Sequence, residues 1–480
     1  MSSKKPSSSA NDLATAENYF RSGRSEMAEL VLRQVVARDP KSSRAYELMA
    51  YIQGNRGDLK ACEAMLRQAC SLPNASGEAF FYLGRVQLGS HRAGEATASF
   101  ERAIALAGPS FEPLHELGVA HSKLGHHDRA LASFAAAERQ RPDSAELHFN
   151  MGRTLEELQQ LDDALGHYTR SLQLNPGQSG VWSNRGVVLT ALRHPAEAID
   201  SFDRALALEP NDVQTLTNKA ATLNAMQRRV EALACYEAAL RLAPRTDDLL
   251  GDWLISRLYL CQWDGLAEAF AEIVQRAARG ERVSPPFAML TTPADAPTLL
   301  AACRSYALAK YPAAPPAEPP AAPRSDAGKI RLGYFSADFY THATSHLMAR
   351  LFELHDRERF ELIGFSFGPQ LQDAMRERIA AAFDRFIDVS GQTDREITAL
   401  ARSLGVDIAV DLKGFTTHAR TGIFAHRAAP VQVNYLGFPG TMACDYIDYI
   451  IADETLIRPG EHVHYSEKVV LLPDCYQVND

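Results

Sequence analysis

The sequence is poor in the features that mark several large functional classes. No run of ~18 apolar residues occurs in its 480 positions, so it offers no membrane-spanning helix. Its seven cysteines are scattered, and no pair has C-x-x-C spacing, which argues against a zinc cluster and against a disulfide framework. They read as reduced thiols packed as small apolar residues, the usage of a cytoplasmic protein. Basic residues are in deficit, 50 Lys and Arg against 59 Asp and Glu, for a net charge of −9. A nucleic-acid partner asks for the opposite balance, because each neutralised phosphate needs a cation. The first residues, 1–11, are rich in Ser and Lys and lack an apolar core, so a disordered tail is expected there rather than a signal peptide.

Nucleotide and metal signatures are missing too. There is no G-x-G-x-x-G after a strand, no P-loop, no H-E-x-x-H and no Asp-x-Asp pair. No metal or other cofactor is therefore expected. What remains is ample material for soluble cores, with 46% apolar and 23% charged residues. The length implies more than one domain, since a single core rarely exceeds ~250–300 residues.

The first half is self-similar with a period of 34. Ala16, Ala50, Gly84, Gly118, Gly152, Gly186 and Ala220 share one register. A second small-residue ladder runs Ala28, Cys62, Ala96, Ala130, Ala164, Ala198, Ala232, and a bulky one runs Leu32, Leu66, Phe100, Phe134, Tyr168, Phe202, Tyr236. Pro142, Pro176, Pro210 and Pro244 close successive units. Small residues let helix backbones approach, and proline ends a helix because it lacks the N–H and restricts its predecessor. The expectation is an α-solenoid of about seven antiparallel helix pairs over 12–244, stacked into a superhelix because no pair can bury its apolar face alone. A degenerate capping repeat and helical adaptor is expected over 245–311, with Trp253, Trp263 and Phe287 as packing residues. Asn150, Asn184 and Asn218 also recur at the period. Carboxamides in line can grip the backbone of an extended peptide, or they can bond within their own repeats.

Residues 312–328 are largely Pro and Ala and read as a semi-rigid linker. From 329 to 480 the pattern becomes α/β. Strands are expected at 330–336, 360–367, 407–412, 431–436, 447–452 and 468–472, with helices at 345–355, 371–383 and 395–404. Alternation of this kind implies a mostly parallel sheet, whose ligands sit beyond the carboxyl ends of the strands. Three loops then matter. The first carries His342, placed at the mouth of the sheet if Thr344 and Ser345 cap the next helix, where it could accept a proton from a hydroxyl. The second, with Asp411, Lys413 and Gly414, supplies a carboxylate and a cation. The third, Gly437, Phe438, Pro439, Gly440 and Thr441, allows close backbone approach to a ligand. A G-x-S-x-G match at Gly364–Gly368 resembles a hydrolase elbow, but only one expected strand precedes its own, too few for a hydrolase sheet.

The stretches IRLGYFSADFYTHATSHLM, VDIAVDLKGFTTHAR, RAAPVQVNYLGFPGT, DYIDYIIADE and YSEKVVLLP, in this order behind the repeats, resemble the protein O-GlcNAc transferase and SPINDLY family. The resemblance implies a Rossmann-like lobe, the N-terminal half of a GT-B transferase. It implies inverting, metal-independent transfer of a sugar from a nucleotide donor, typically UDP-GlcNAc and in some members GDP-fucose, to Ser or Thr of intracellular proteins. His342 falls on the histidine proposed as general base. Asn150, Asn184 and Asn218 fall on the ladder that grips acceptor peptide, and Gly437–Thr441 on the loop lining the donor cleft. Ala343 and Phe438 depart from a usual proline and tyrosine. A second lobe of ~150–200 residues, one ordinary domain, is expected to complete the donor site. The competing expectation is a protein-binding scaffold with an inert half-domain; homo-oligomerisation stays open.

Overall fold

The computed structural model describes residues 8–314 and 328–480. The linker expected at 312–328 therefore lies mostly outside the described residues, as do the first seven of the tail. Residues 8–11 of that tail already belong to helix Ser8–Arg21. The chain divides into two compact units, Met1–His194 and Pro195–Asp480.

The first unit is an array of antiparallel helix pairs. The leading helices Ser43–Asn55, Gly77–Gly89, Phe111–Lys123, Ala145–Glu157 and Ser179–Ala191 start 34 residues apart, the period of the sequence. The glycine ladder has a direct steric cause. A Cβ added at Gly84, Gly118 or Gly152 would lie 2.6, 2.4 or 2.7 Å from the ring of Phe100, Phe134 or Tyr168, the aromatic sixteen residues on in the same pair. Each ring is fully buried, so the glycine is the floor on which the pair's largest side chain rests. The turns inside the pairs follow the period as well. Gly23, Gly57, His91, Gly125, Gln159 and Arg193 all hold left-handed φ values between 59° and 82°.

In the second unit, helices Pro195–Leu208, Val213–Ala225 and Arg229–Leu242 precede an eighth pair, Leu249–Tyr259 and Leu266–Ala278, as the degenerate copy predicts. Leu250, Leu254, Ile273 and Ala277 form its core. Trp253 is partly buried against it, whereas Trp263 and Phe287 are exposed and do not serve as packing residues. Helix Ala296–Lys310 follows. Its Leu299 and Ala302 pack on the eighth pair, and its Leu300, Cys303 and Ala307 pack in the core of the α/β lobe. A helix apolar on more than one face is a helix with two cores to serve.

The lobe is a parallel sheet of β1 (Ile330–Ser336), β2 (Phe360–Ser366), β3 (Arg385–Asp388), β4 (Ile408–Asp411), β5 (Val431–Asn434), β6 (Tyr449–Ala452) and β7 (Lys468–Leu471). Their order is β3-β2-β1-β4-β5-β6-β7. The sequence pattern misses β3, whose four residues are only partly covered and carry no apolar run. The chain starts in the middle, winds outward to β3 and returns to lay β4 beside β1, with Phe335 in register with Asp411. The strand order reverses between β1 and β4, which makes the loops after Ser336 and Asp411 the two walls of the switch-point crevice.

Candidate active site

The loop leaving β1 is held at every step. Ser336 Oγ accepts the Asp338 N–H at 3.0 Å, and Ser345 Oγ donates to the Asp338 carbonyl. Arg376, buried, donates to the Phe339 carbonyl at 3.3 Å and to Ser366 Oγ at 3.0 Å. Asp373 accepts the Thr341 N–H at 2.8 Å. This fixes His342 at the head of helix Ala343–Leu354, half-exposed. The helix begins earlier than Thr344 and Ser345 as caps would place it. Ser345 is spent on Asp338, and His342 itself is the N-cap, its Nδ1 accepting the Thr344 N–H at 3.2 Å.

From the loop after β4, Lys413 extends its Nζ to Asp338 Oδ2 at 2.6 Å, and both side chains are buried. The same Asp338 Oδ2 lies 3.7 Å from His342 Nδ1. Asp411 is turned inward. It accepts the Lys413 N–H at 2.9 Å and so shapes the turn, and burial pushes its carboxyl up to about 6. Gly414 takes φ +54°, and a Cβ there would meet the Cβ of Phe438 at 2.5 Å.

The structure separates the third loop into two kinds of residue. Phe438 is in the core, edge-on to Phe415. Thr441 is buried too, its hydroxyl donating to Glu467 at 2.7 Å. Gly437, Pro439 and Gly440 are partly exposed and form the part of the loop a ligand can reach. Gly437 abuts the Leu412 carbonyl, where a Cβ would be at 2.1 Å, so the loops after β4 and β5 pack backbone to backbone.

The G-x-S-x-G match is a packing motif. Ser366 is buried against Arg376, and a Cβ at Gly368 would collide with the Ala337 carbonyl at 1.7 Å. The asparagines are half-buried and bonded inside the array. Asn150 Nδ2 meets His115 Nε2 at 3.0 Å, Asn184 bonds the Tyr168 hydroxyl, and Asn218 Oδ1 accepts from Gln214 at 3.0 Å. Asn150 also lines a cavity of about 370 Å³ with Lys123, Arg153 and Glu157. Sequence reasoning overlooked Asp338, Arg376 and Glu467. The signal for Asp338 was its place two residues beyond a strand end on the switch-point loop.

A periodic array of helix pairs joined to a parallel lobe with a polar switch-point crevice defines a repeat protein carrying a transferase-type lobe. Residues 313–480 match the model of glycosyl transferase family 41, and residues 115–179 and 179–212 match tetratricopeptide repeat models. That segment, behind tetratricopeptide repeats, makes the chain similar to glycosyltransferases of the O-GlcNAc transferase and SPINDLY kind. A protein of Arabidopsis thaliana named "Probable UDP-N-acetylglucosamine--peptide N-acetylglucosaminyltransferase SEC" is 35% identical over 236 residues, 46% of this chain and 24% of its own length. The UDP-N-acetylglucosamine–peptide N-acetylglucosaminyltransferase of Caenorhabditis elegans is 32% identical over 157 residues, 32% of this chain and 13% of its own. This chain thus spans a quarter or less of the length of these relatives. Among solved structures, a mutant O-GlcNAc transferase of Thermobaculum terrenum matches at 24% identity and a TM-score of 0.47, over 69% of this chain and 58% of that one.

Proposed function

We propose that this protein is an inverting, metal-independent protein O-glycosyltransferase that moves N-acetylglucosamine from UDP-GlcNAc to Ser or Thr hydroxyls of cytoplasmic proteins. The observation that carries the reading is the meeting of His342, Asp338 and Lys413 at the switch point of a family 41 lobe. A scaffold needs no charged pair buried at a crevice, because such pairs are costly to desolvate. The printed names of the relatives support the donor, and the seven unpaired cysteines agree with a reducing compartment. Among the described residues no helix is long and apolar enough to cross a membrane.

In this reading the acceptor hydroxyl attacks the anomeric carbon of the sugar, its proton passes to His342, and the nucleoside diphosphate leaves with the electron pair of the broken bond. Gly437, Pro439 and Gly440 offer backbone to the donor, with Lys413 and Asp411 shaping the cleft behind them. The repeats hold the acceptor, through whatever amide capacity Asn150, Asn184 and Asn218 keep beyond their internal bonds.

The test is incubation of the chain, together with the second lobe expected to complete its donor site, with protein acceptor and either UDP-GlcNAc or GDP-fucose, followed by mass spectrometry of the acceptor. Addition of N-acetylhexosamine to Ser or Thr, reduced ~100-fold or more by His342→Ala, is expected for a general base. Transfer of fucose instead would correct the donor. No transfer from either donor by the folded two-lobe protein would remove the activity, and undiminished transfer by His342→Ala would remove the base.

A further inference from the structure

The bonds around His342 leave its imidazole in the wrong form for its proposed task. Nδ1 accepts the Thr344 N–H at 3.2 Å, so it carries no proton, and the proton of the neutral ring sits on Nε2. A ring in that tautomer cannot take a hydroxyl proton at Nε2. It can do so only when Nδ1 bears the proton, and Nδ1–H then needs an acceptor. One carboxylate is in place. Asp338 Oδ2 stands 3.7 Å from Nδ1, less than 1 Å beyond ordinary hydrogen-bond reach.

From this geometry we infer that Asp338 is the positioning residue of the site: it selects the Nδ1–H tautomer of His342 and so exposes Nε2 as the base. The inference rests on the transferase reading for its purpose, not for its geometry. Three features equip Asp338 for the role. Its backbone is fixed on both sides by Ser336 and Ser345, so the carboxylate does not wander. Its side chain is buried, which strengthens the pull on a nearby N–H. The Lys413 ammonium donates to Oδ2 at 2.6 Å while leaving a lone pair on the same oxygen for a second donor. The Thr344 amide and the Asp338 carboxylate thus compete for one ring nitrogen, and they favour opposite tautomers. A small rotation of the imidazole decides between them.

The experiment uses the full chain labelled with ¹⁵N-histidine, the His342 signals being assigned by their loss in His342→Ala. Ring ¹⁵N shifts report which nitrogen carries the proton without requiring turnover. The wild-type protein is expected to show a population with Nδ1–H, and Asp338→Leu to abolish it, since leucine offers Nδ1–H no acceptor. Asp338→Leu strands the Lys413 cation, so Asp338→Leu with Lys413→Met, which leaves no buried charge unpaired, is measured alongside and should give the same spectrum. Identical His342 shifts in the wild type and both variants would overturn the inference. Where the wild type turns over, Asp338→Leu should lower kcat ~100-fold, the scale of a lost general base, with donor KM within ~2-fold. Adding it to His342→Ala should cost nothing further. A further drop in that double variant would mean that Asp338 acts elsewhere, and would also overturn the inference. A wild-type protein that transfers no sugar even with its second lobe present would end the transferase reading alone, leaving the ring shifts to decide the tautomer.

Discussion

Lys413 Nζ donates to Asp338 Oδ2 at 2.6 Å, with the two side chains 7% and 6% exposed, and this bond ties the loop after β1 to the loop after β4. Removing one partner leaves the other as an unpaired buried charge, the expensive way to break such a pair. Lys413→Met is therefore expected to cost about 3–5 kcal/mol, and Lys413→Met with Asp338→Leu to recover much of it. Urea unfolding followed by tryptophan-independent circular dichroism reads both. A loss below ~1 kcal/mol in the single variant would mean that water already reaches the pair.

Asp411 gives the lobe a pH dependence of definite sign. Its carboxyl is raised from 3.8 to about 6 by burial, so the native state holds this proton where the unfolded chain has released it. Its contribution to stability is greatest below the lower value and is lost as pH rises through the window from about 4 to about 6, by about 2–3 kcal/mol in all. Asp411→Asn lacks that loss. The stability of the variant relative to wild type should climb across the window and level off above it. Glu467 is shifted upward by burial as well, and comparing the two proteins at each pH cancels its effect. A difference that does not change between pH 4 and 7 would show Asp411 to be hydrated.

Two helical glycines should respond in opposite directions to the same change. At Gly118 an alanine methyl would enter the ring of Phe134, and overpacking of ~1–3 kcal/mol should outweigh the gain in helix propensity. Gly166, exposed within helix Leu161–Leu174, has nothing within 4 Å of an added Cβ. There Gly→Ala should stabilise by about 0.5–1 kcal/mol. Thermal unfolding of the two variants decides. A stabilised Gly118→Ala would show that Phe134 can move aside.

The repeat was legible because steric demands repeat with it. Ala16, Gly84 and Gly152 announce a close approach, and Phe100, Phe134 and Tyr168 announce what approaches. The left-handed turn inside each pair recurs at the same period, but only Gly23, Gly57 and Gly125 advertise it. At His91, Gln159 and Arg193, all exposed, the backbone bonds that close each turn, from Arg92 N–H to the Gln87 carbonyl, Gln160 to Leu155 and His194 to Leu189, impose the conformation on residues with little preference for it, so no letter in the sequence gives it away. The strands read as apolar runs except β3, which is short and half-covered. The site was legible in its loops and less so in its bonds. That His342 would cap its own helix depended on Ser345 being engaged with Asp338, a contact between residues on the two sides of a turn. That Lys413 would reach Asp338 depended on strand order, which brings residues 75 apart in the chain together and which no local pattern encodes.

Helix Ala296–Lys310 carries side chains of two cores at once, Ala302 with Leu254 and Ile273, Cys303 and Ala307 with Phe335 and Phe424. A chain built this way has no clean seam where its composition suggests one. Recombination in the proline-rich stretch would hand the sheet to a new neighbour without Leu300, Cys303 and Ala307, leaving a furrow of bare hydrocarbon on the lobe. It would leave the old array with a terminal helix whose second face had lost its cover. Inheritance is therefore constrained in one direction. Whole repeats can be duplicated or deleted further upstream at little structural penalty, while everything from the eighth pair, residue 249, onward must travel together.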